Sequence, residues 1–187
     1  VVPELMPMVG FDQHNAYHAY DVYEHTARCV EAVPPQPFLR LAMLLHDIGK
    51  PSCFSRDEQG VGHFYGHQRV SADMSREILT HLRFDSKTVE TVCRLVTWHD
   101  VWIEPEEKAV KRWLNRLGEA ECRMLVEIKK GDVRGQNPAL IGRLSELDKL
   151  AAVIDQVVAS RACFSLRDLA VNGRDLLALD FHGPELG

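Results

Sequence analysis

Apolar residues recur at intervals of three and four along most of this 187-residue chain, the spacing of helices that bury one face. Val22, Thr26, Cys29, Val30 and Val33 predict a helix over residues 18–33, stopped by Pro34, Pro35 and Pro37. Residues 38–48 are apolar nearly all round and predict a buried central helix, with Gly49 in the capping position past its end and Pro51 beyond. Residues 52–66, rich in glycine, charge and histidine, predict a loop with a short extended piece. Val70, Met74, Ile78 and Leu82 step at helical spacing. Ser86 is the expected cap of the next helix, whose buried stripe is Val89, Val92, Cys93 and Val96. Pro105, Glu106 and Glu107 mark a helix start, with acids against the positive end of the dipole. Val110, Trp113, Leu114 and Leu117 face inward, and Gly118 ends that helix. A further helix to residue 130, a short loop holding Asp132 and a long helix from Pro138 follow, the last with the stripe Ile141, Leu144, Leu147, Ala151, Ile154 and Val158. Residues 1–11 read as an extended lead-in, and Asn172-Gly173 as a turn between two short helical pieces. No alternating strand pattern of useful length, internal repeat or low-complexity tract is present, so the expected class is all-α.

Composition narrows this picture. With 45% apolar or aromatic residues the chain is long enough to bury a core. A formal charge of −5, from 22 basic and 27 acidic residues, argues against a protein whose affinity rests on a basic face meeting nucleic-acid phosphates. Five scattered cysteines without a CxxC pair read as reduced thiols and point to a cytoplasmic protein. No run of 18 apolar residues predicts a membrane span, and no signal peptide is recognisable. The chain opens on Val1 and stops in Gly-Pro-Glu-Leu-Gly, and both ends read as cuts inside a longer polypeptide.

The chemistry concentrates in histidine and aspartate. His46-Asp47 ends the most apolar helix, where a carboxylate is expensive to bury unless something positive compensates it. His25, among Val22, Cys29 and Val30, points toward the same core. With Asp132 these four predict one octahedral-type N/O metal site with positions left for water. His67 at a helix start and His99 at a helix end are expected to complete a second position, with Asp47 bridging two ions.

The order His25, His46-Asp47-Ile48-Gly49-Lys50, Asp132 follows the H…HDxGK…D pattern of the HD superfamily, which this chain resembles. The stretches FDQHNAYH (11–18), YDVYEHT (20–26), GHFYGH (62–67) and DLAVNGRDL (168–176) resemble the HD region and following segment of bacterial tRNA nucleotidyltransferases, the CCA-adding and poly(A) polymerase family. The resemblance spans residues 11–187. It implies a lead-in over 1–17, an HD metal-binding helical bundle over 18–135, and a truncated helical C-terminal extension over 136–187 packed on it. It implies one or two divalent ions (Ni, Mn, Co, Fe, Zn or Mg) and hydrolysis of phosphomonoesters or 2′,3′-cyclic phosphodiesters on nucleotides or RNA 3′-ends. In that reading the metals acidify a water that attacks phosphorus, Asp47 positions the ions, and Lys50 meets the phosphate; Arg134, in the basic cluster beside Asp132, is a further candidate phosphate contact from its position alone. Nothing matches the nucleotidyltransferase head of that family, so this chain is not expected to add nucleotides to tRNA.

Plainer readings stand beside these. The HD part can instead be an RNA-binding, structural module of a CCA-adding enzyme with a non-catalytic metal site, meeting tRNA within a longer chain; a nucleotide-sensing domain is a third reading. Lys50 also suits a surface lysine complementing a helix C-terminus. His67 can be a capping residue, and His99-Asp100 a solvated helix end. His14, His18 and His63 read more simply as loop or packing histidines, and His81 and His182 as unremarkable. Trp113 reads as core; Trp98 and Trp102 read as core or interface residues before nucleobase stackers. Lys129, Lys130 and Arg134 read, on the plain view, as a solvated basic helix end.

Overall fold

The computed structural model describes residues 2–160. The Asn172-Gly173 turn, the 168–176 stretch and His182 lie outside the described residues. Helix α1 (Val22–Ala32) starts four residues later than the hydrophobic spacing predicts. Asp21 sets the start: its Oδ1 accepts from the backbone N–H of Glu24 at 2.7 Å, and its Oδ2 from that of Gly10 at 2.9 Å. Helix α2 (Pro37–Leu45) begins on a proline whose missing N–H is no loss at that position. A hairpin of β1 (Ser55–Arg56) and β2 (Gly62–His63) supplies the short extended piece. Helices α3 (His67–His81) and α4 (Ser86–Trp98) pack as a pair. Asp85, not Ser86, caps α4, accepting from Thr88 N–H at 3.0 Å, so Ser86 is the first helical residue. Helix α5 (Glu107–Gly135) is broken at Gly118, whose φ of 76° no helix accommodates. Helix α6 (Leu144–Ala159) closes the described chain.

The fold is all-α apart from that hairpin. Apolar α2 sits at the centre, covered by α1, α4 and α5, and Leu39, Ala42, Met43 and Leu45 are fully buried there. Four expectations need correction. The lead-in is not extended: Pro3–Met8 forms a 3₁₀ helix that sinks Met8 into the core. Gly49 is not a left-handed cap. Its φ is −82°, and its smallness matters because a Cβ there would come within 2.8 Å of the Ser71 backbone nitrogen in α3. Asp132 is not in a loop, because α5 continues through it to Gly135. The last helix starts later than expected: Pro138–Arg143 is 3₁₀ and leaves Ile141 exposed, while the α-helix from Leu144 buries Leu147 and Ile154 of the expected stripe together with Leu150 and Val157, and packs Ala151 and Val158 against the core.

Two glycines of α5 decide how closely α1 approaches it. A Cβ on Gly131 would lie 2.5 Å from Val33 Cγ1, and one on Gly135 would collide with Cys29 Sγ. The same glycines depress helix propensity, which is why this stretch reads as a loop from sequence. Their absent side chains let α1 and the last turn of α5 meet backbone to side chain, bringing His25 against Gly135. Gly135→Ala is expected to lower stability by about 1–3 kcal/mol through overpacking, read from urea melts. An unchanged midpoint would show that the two helices separate freely.

Candidate metal centre

Four histidines point their Nε2 atoms into one buried space, and each is held there in the same way. His46, in the turn after α2, places Nδ1 2.7 Å from the Met43 carbonyl. His99, after α4, places Nδ1 2.7 Å from the Val96 carbonyl. His67, opening α3, places Nδ1 2.8 Å from the Phe64 carbonyl. His25, in α1, places Nδ1 3.0 Å from the Gly135 carbonyl. At His46 and His99 the carbonyl three residues back is one the helix end leaves without an internal partner. A carbonyl only accepts, so each Nδ1 carries the proton and donates; in the neutral ring each Nε2 then presents a lone pair.

Those lone pairs face one another. The Nε2 atoms of His25 and His46 are 3.3 Å apart, as are those of His67 and His99. Carboxylates complete the convergence. Asp47 Oδ2 lies 3.3 Å from His25 Nε2 and 3.1 Å from His46 Nε2, while Asp132 Oδ1 lies 3.1 Å and 3.8 Å from the same two. Asp47 Oδ1 lies 3.3 Å from His67 Nε2 and 3.7 Å from His99 Nε2. Asp47 is 1% exposed, and neither of its oxygens has a hydrogen bond of acceptable geometry, although Lys50 Nζ is 2.7 Å from Oδ2. Acceptors facing acceptors around an orphaned buried carboxylate call for positive charge in the middle. Imidazole nitrogen with carboxylate oxygen is a donor set that divalent transition ions accept. The residues present therefore fit a metal. They divide into two groups, His25, His46 and Asp132 on one oxygen of Asp47 and His67 and His99 on the other.

The electrostatics agree in direction. Burial alone would push the Asp47 carboxyl up, but His46, Lys50 and His25 hold it well below the usual range. Burial likewise opposes the Asp132 carboxylate, and His25 and His46 hold that group below its usual range too. Burial opposes charge on His25; Cys29 and the carboxylates of Asp132 and Asp47 nonetheless hold its pKa well above the ordinary imidazole value. A proton and a cation thus compete for the same nitrogen. Burial pushes the His99 pKa down.

A cleft of about 340 Å³ opens onto Asp47, Lys50, His67, His99 and Asp132. Lys50 is not the surface lysine of the plain reading. It is buried, and its Nζ donates to Gln13 Oε1 at 2.8 Å and lies 3.5 Å from His18 Nε2. His18 donates through Nδ1 to Asn15 Oδ1 at 2.9 Å; burial and then Lys50 lower its pKa to about 3, leaving it neutral. His18 and His63 line the cleft. His14 pairs with Asp12 and Arg56 and does not line it, and His81 is exposed at the end of α3. Arg134 is a correction: exposed, it points to the Ala32 carbonyl at 3.4 Å and does not line the cleft. Lys129 corrects the solvated-helix-end reading. It is buried, and its Nζ donates to the carbonyls of His99 at 2.6 Å, Val101 at 2.5 Å and Trp98 at 3.5 Å, with burial lowering its pKa to about 8. Trp98 packs edge-on against Trp113, while Trp102 is half exposed.

Sequence reasoning missed three participants. Gln136 Nε2 donates to Asp132 Oδ2 at 2.9 Å while its Oε1 accepts from Arg143 at 3.0 Å, turning Oδ1 of Asp132 toward the histidines. Its place four residues after Asp132 was the available signal. Cys29, one turn after His25, brings its Sγ within 3.6 Å of His25 Nε2, and burial pushes its thiol up to about 11. Gln13 anchors Lys50.

Comparison with known proteins places this geometry. The family model described as HD domain matches residues 15–159, a span that includes all six candidate ligands. The chain is 29% identical over 170 residues to an A-adding tRNA nucleotidyltransferase of Deinococcus radiodurans, covering 85% of this chain and 39% of the relative. It is 38% identical over 121 residues to a CC-adding tRNA nucleotidyltransferase of Thermus thermophilus, covering 62% and 28%. A bifunctional uridylyltransferase/uridylyl-removing enzyme of Ruegeria pomeroyi is 32% identical over 120 residues, covering 52% and 12%. The chain thus spans well under half the length of these relatives. Among the described residues no helix is long and apolar enough to cross a membrane.

Two outcomes follow. Gln136→Ala frees Asp132 to rotate and is expected to weaken divalent-metal affinity about 10–100-fold, the usual effect of removing such a support, read by calorimetric titration; unchanged affinity would show that Asp132 needs no orienter. Because the His25 pKa is raised, lowering pH populates its protonated form and metal affinity falls. Titration in buffers of differing ionisation enthalpy should show proton release on binding, and none would contradict competition at His25.

Proposed function

The chain belongs to the HD domain family, and from that premise we propose that it is a metal-dependent phosphohydrolase acting on phosphomonoesters or 2′,3′-cyclic phosphodiesters of nucleotides or RNA 3′-ends. The observation that carries the reading is Asp47: a buried carboxylate with one oxygen toward His25 and His46 and the other toward His67 and His99. On this reading His25, His46, Asp47 and Asp132 hold one divalent ion, Mn, Fe, Co, Ni, Zn or Mg, and His67, His99 and the second oxygen of Asp47 hold another. Such ions supply Lewis acidity, polarising phosphoryl oxygens and lowering the pKa of water.

The chain's own groups do the rest. Four backbone carbonyls keep the imidazoles in one tautomer, so the ligand set is preorganised. Lys50 presents its ammonium at the cleft beside Asp47, held by Gln13, where it pairs with a phosphoryl oxygen and offsets charge that grows during attack. Neutral His18 accepts from Lys50 and adds no competing positive charge. Asn15 and Gln68 line the same cleft.

The nucleotide or RNA substrate comes from the relatives, named for work on tRNA. The same relatives support a second reading, in which this part positions tRNA within a longer protein and the metal is structural.

Purified chain with Mn²⁺, Co²⁺ or Ni²⁺ is expected to turn over bis-p-nitrophenyl phosphate and 2′,3′-cyclic AMP. Asp47→Ala should abolish turnover, Lys50→Ala should lower kcat about 10²–10³-fold, and the exposed Arg28→Ala should change neither. RNA binding with metal bound but no turnover on any substrate would favour the positioning module instead.

A further inference from the structure

Among the described residues, three of the ten large apolar side chains left exposed line the cleft that opens onto Asp47 and Lys50: Tyr17, Val61 and Tyr65. Single exposed apolar residues are ordinary, but their concentration at the mouth of a ligand-sized cleft is not. Tyr65 is 77% exposed and Tyr17 59%. Neither ring is needed by the core, so their placement asks for a partner from outside.

Tyr65 is held for stacking. Its ring lies nearly parallel to that of His63, 7° between planes and 5.2 Å between centroids. His63 is fixed in turn by Asp57, whose Oδ2 is 2.8 Å from its Nε2, and Asp57 also accepts from the backbone N–H groups of Gln59 and Val61, closing the hairpin. A ring supported on one face and three-quarters exposed offers its other face to a ligand. The supporting hairpin leads directly into His67, so the platform stands two residues from a candidate ligand of the second ion. Tyr17 rises from a separate segment whose backbone is pinned: its N–H donates to Asn15 Oδ1 at 3.1 Å, and its carbonyl accepts from Asn137 N–H at 2.9 Å. His18, next in sequence, touches Lys50.

We infer that Tyr65, backed by His63, and Tyr17 form a nucleobase-stacking subsite at the mouth of the cleft, which makes the site selective for base-bearing phosphates over sugar or polyol phosphates. Nucleobases suit this mouth because each has a flat π-face, and aromatic stacking binds such faces without demanding one base. Gln68 and Asp100 on the cleft wall are joined Nε2 to Oδ2 at 2.9 Å, which leaves Gln68 Oε1 and Asp100 Oδ1 as acceptors for base edges. The two tyrosine hydroxyls add polar ends that tolerate exposure until substrate arrives. The inference rests on the phosphohydrolase reading for the place of the phosphate, but its core, preference for a base, is measurable without hydrolysis.

The test compares the full metal-loaded chain with the Tyr17→Ala/Tyr65→Ala variant on two secondary-alcohol monoesters, 3′-AMP and glycerol 2-phosphate. The wild type should prefer 3′-AMP in kcat/KM, and the variant should lose about tenfold of that preference, through KM. Tyr65→Phe should restore most of it, and Tyr23→Ala, an exposed tyrosine on α1 outside the cleft, should leave it intact. Loss of both activities in equal proportion, or no change in their ratio, overturns the subsite. Should neither monoester be turned over, calorimetric binding of AMP against ribose 5-phosphate decides the same question: tighter AMP binding that the double variant abolishes supports the platform, and equal binding of the two overturns it.

Discussion

The arrangement depends on one electrostatic constraint: imidazole lone pairs and two carboxylates converge in a buried space with no hydrogen bond to satisfy Asp47. Without positive charge such a cluster is repulsive; Lys50, 2.7 Å from Asp47, offsets part of that repulsion, and a cation among these six side chains would offset more. Much of the helical architecture can be read as serving that convergence. The turn after α2 presents His46 and Asp47 together; the ends of α3 and α4 supply His67 and His99. Glycines at 131 and 135 let α5 lie against α1, so that Gly135 O orients His25 and Asp132 reaches it. Lys129 ties three carbonyls around the end of α4 and thereby fixes the segment that carries His99.

How much of this was readable in the amino-acid order depended on whether the signal was local. The apolar stripes of α1 to α4 repeat within one helix, so their existence and rough limits follow from spacing alone. The convergence of His25, His46, Asp47 and Asp132 was also legible, because a carboxylate ending an apolar helix needs a counter-charge wherever the other ligands come from. Features set by a tertiary neighbour were not legible. Gly131 and Gly135 look like loop residues until α1 is seen against them. Lys129 looks solvated until the carbonyls after α4 are in place. Arg134, two residues after Asp132, faces away because two helical steps of about 100° turn its side chain to the opposite face. The cap of α4 fell to Asp85 rather than Ser86, two adjacent residues of equal capping chemistry that spacing cannot separate.

The site's sign also bears on what it meets. The chain carries a formal −5, and Lys50 places its ammonium at the cleft 2.7 Å from the buried Asp47 carboxylate. On the proposed phosphohydrolase reading that ammonium would meet a phosphate ester, which suits a small substrate or a chain end better than an extended nucleic-acid track. The aligned stretches cover 39%, 28% and 12% of the three relatives.

The most direct measurement is anomalous diffraction from crystals grown with Mn²⁺ and recorded at the metal edge. The account predicts two peaks on either side of Asp47, one coordinated by the Nε2 atoms of His25 and His46 with Asp132, the other by those of His67 and His99, about 3.5–4 Å apart as in two-metal sites. Refined structures at saturating Mn²⁺ with no peak bonded to any of these four histidines would contradict it.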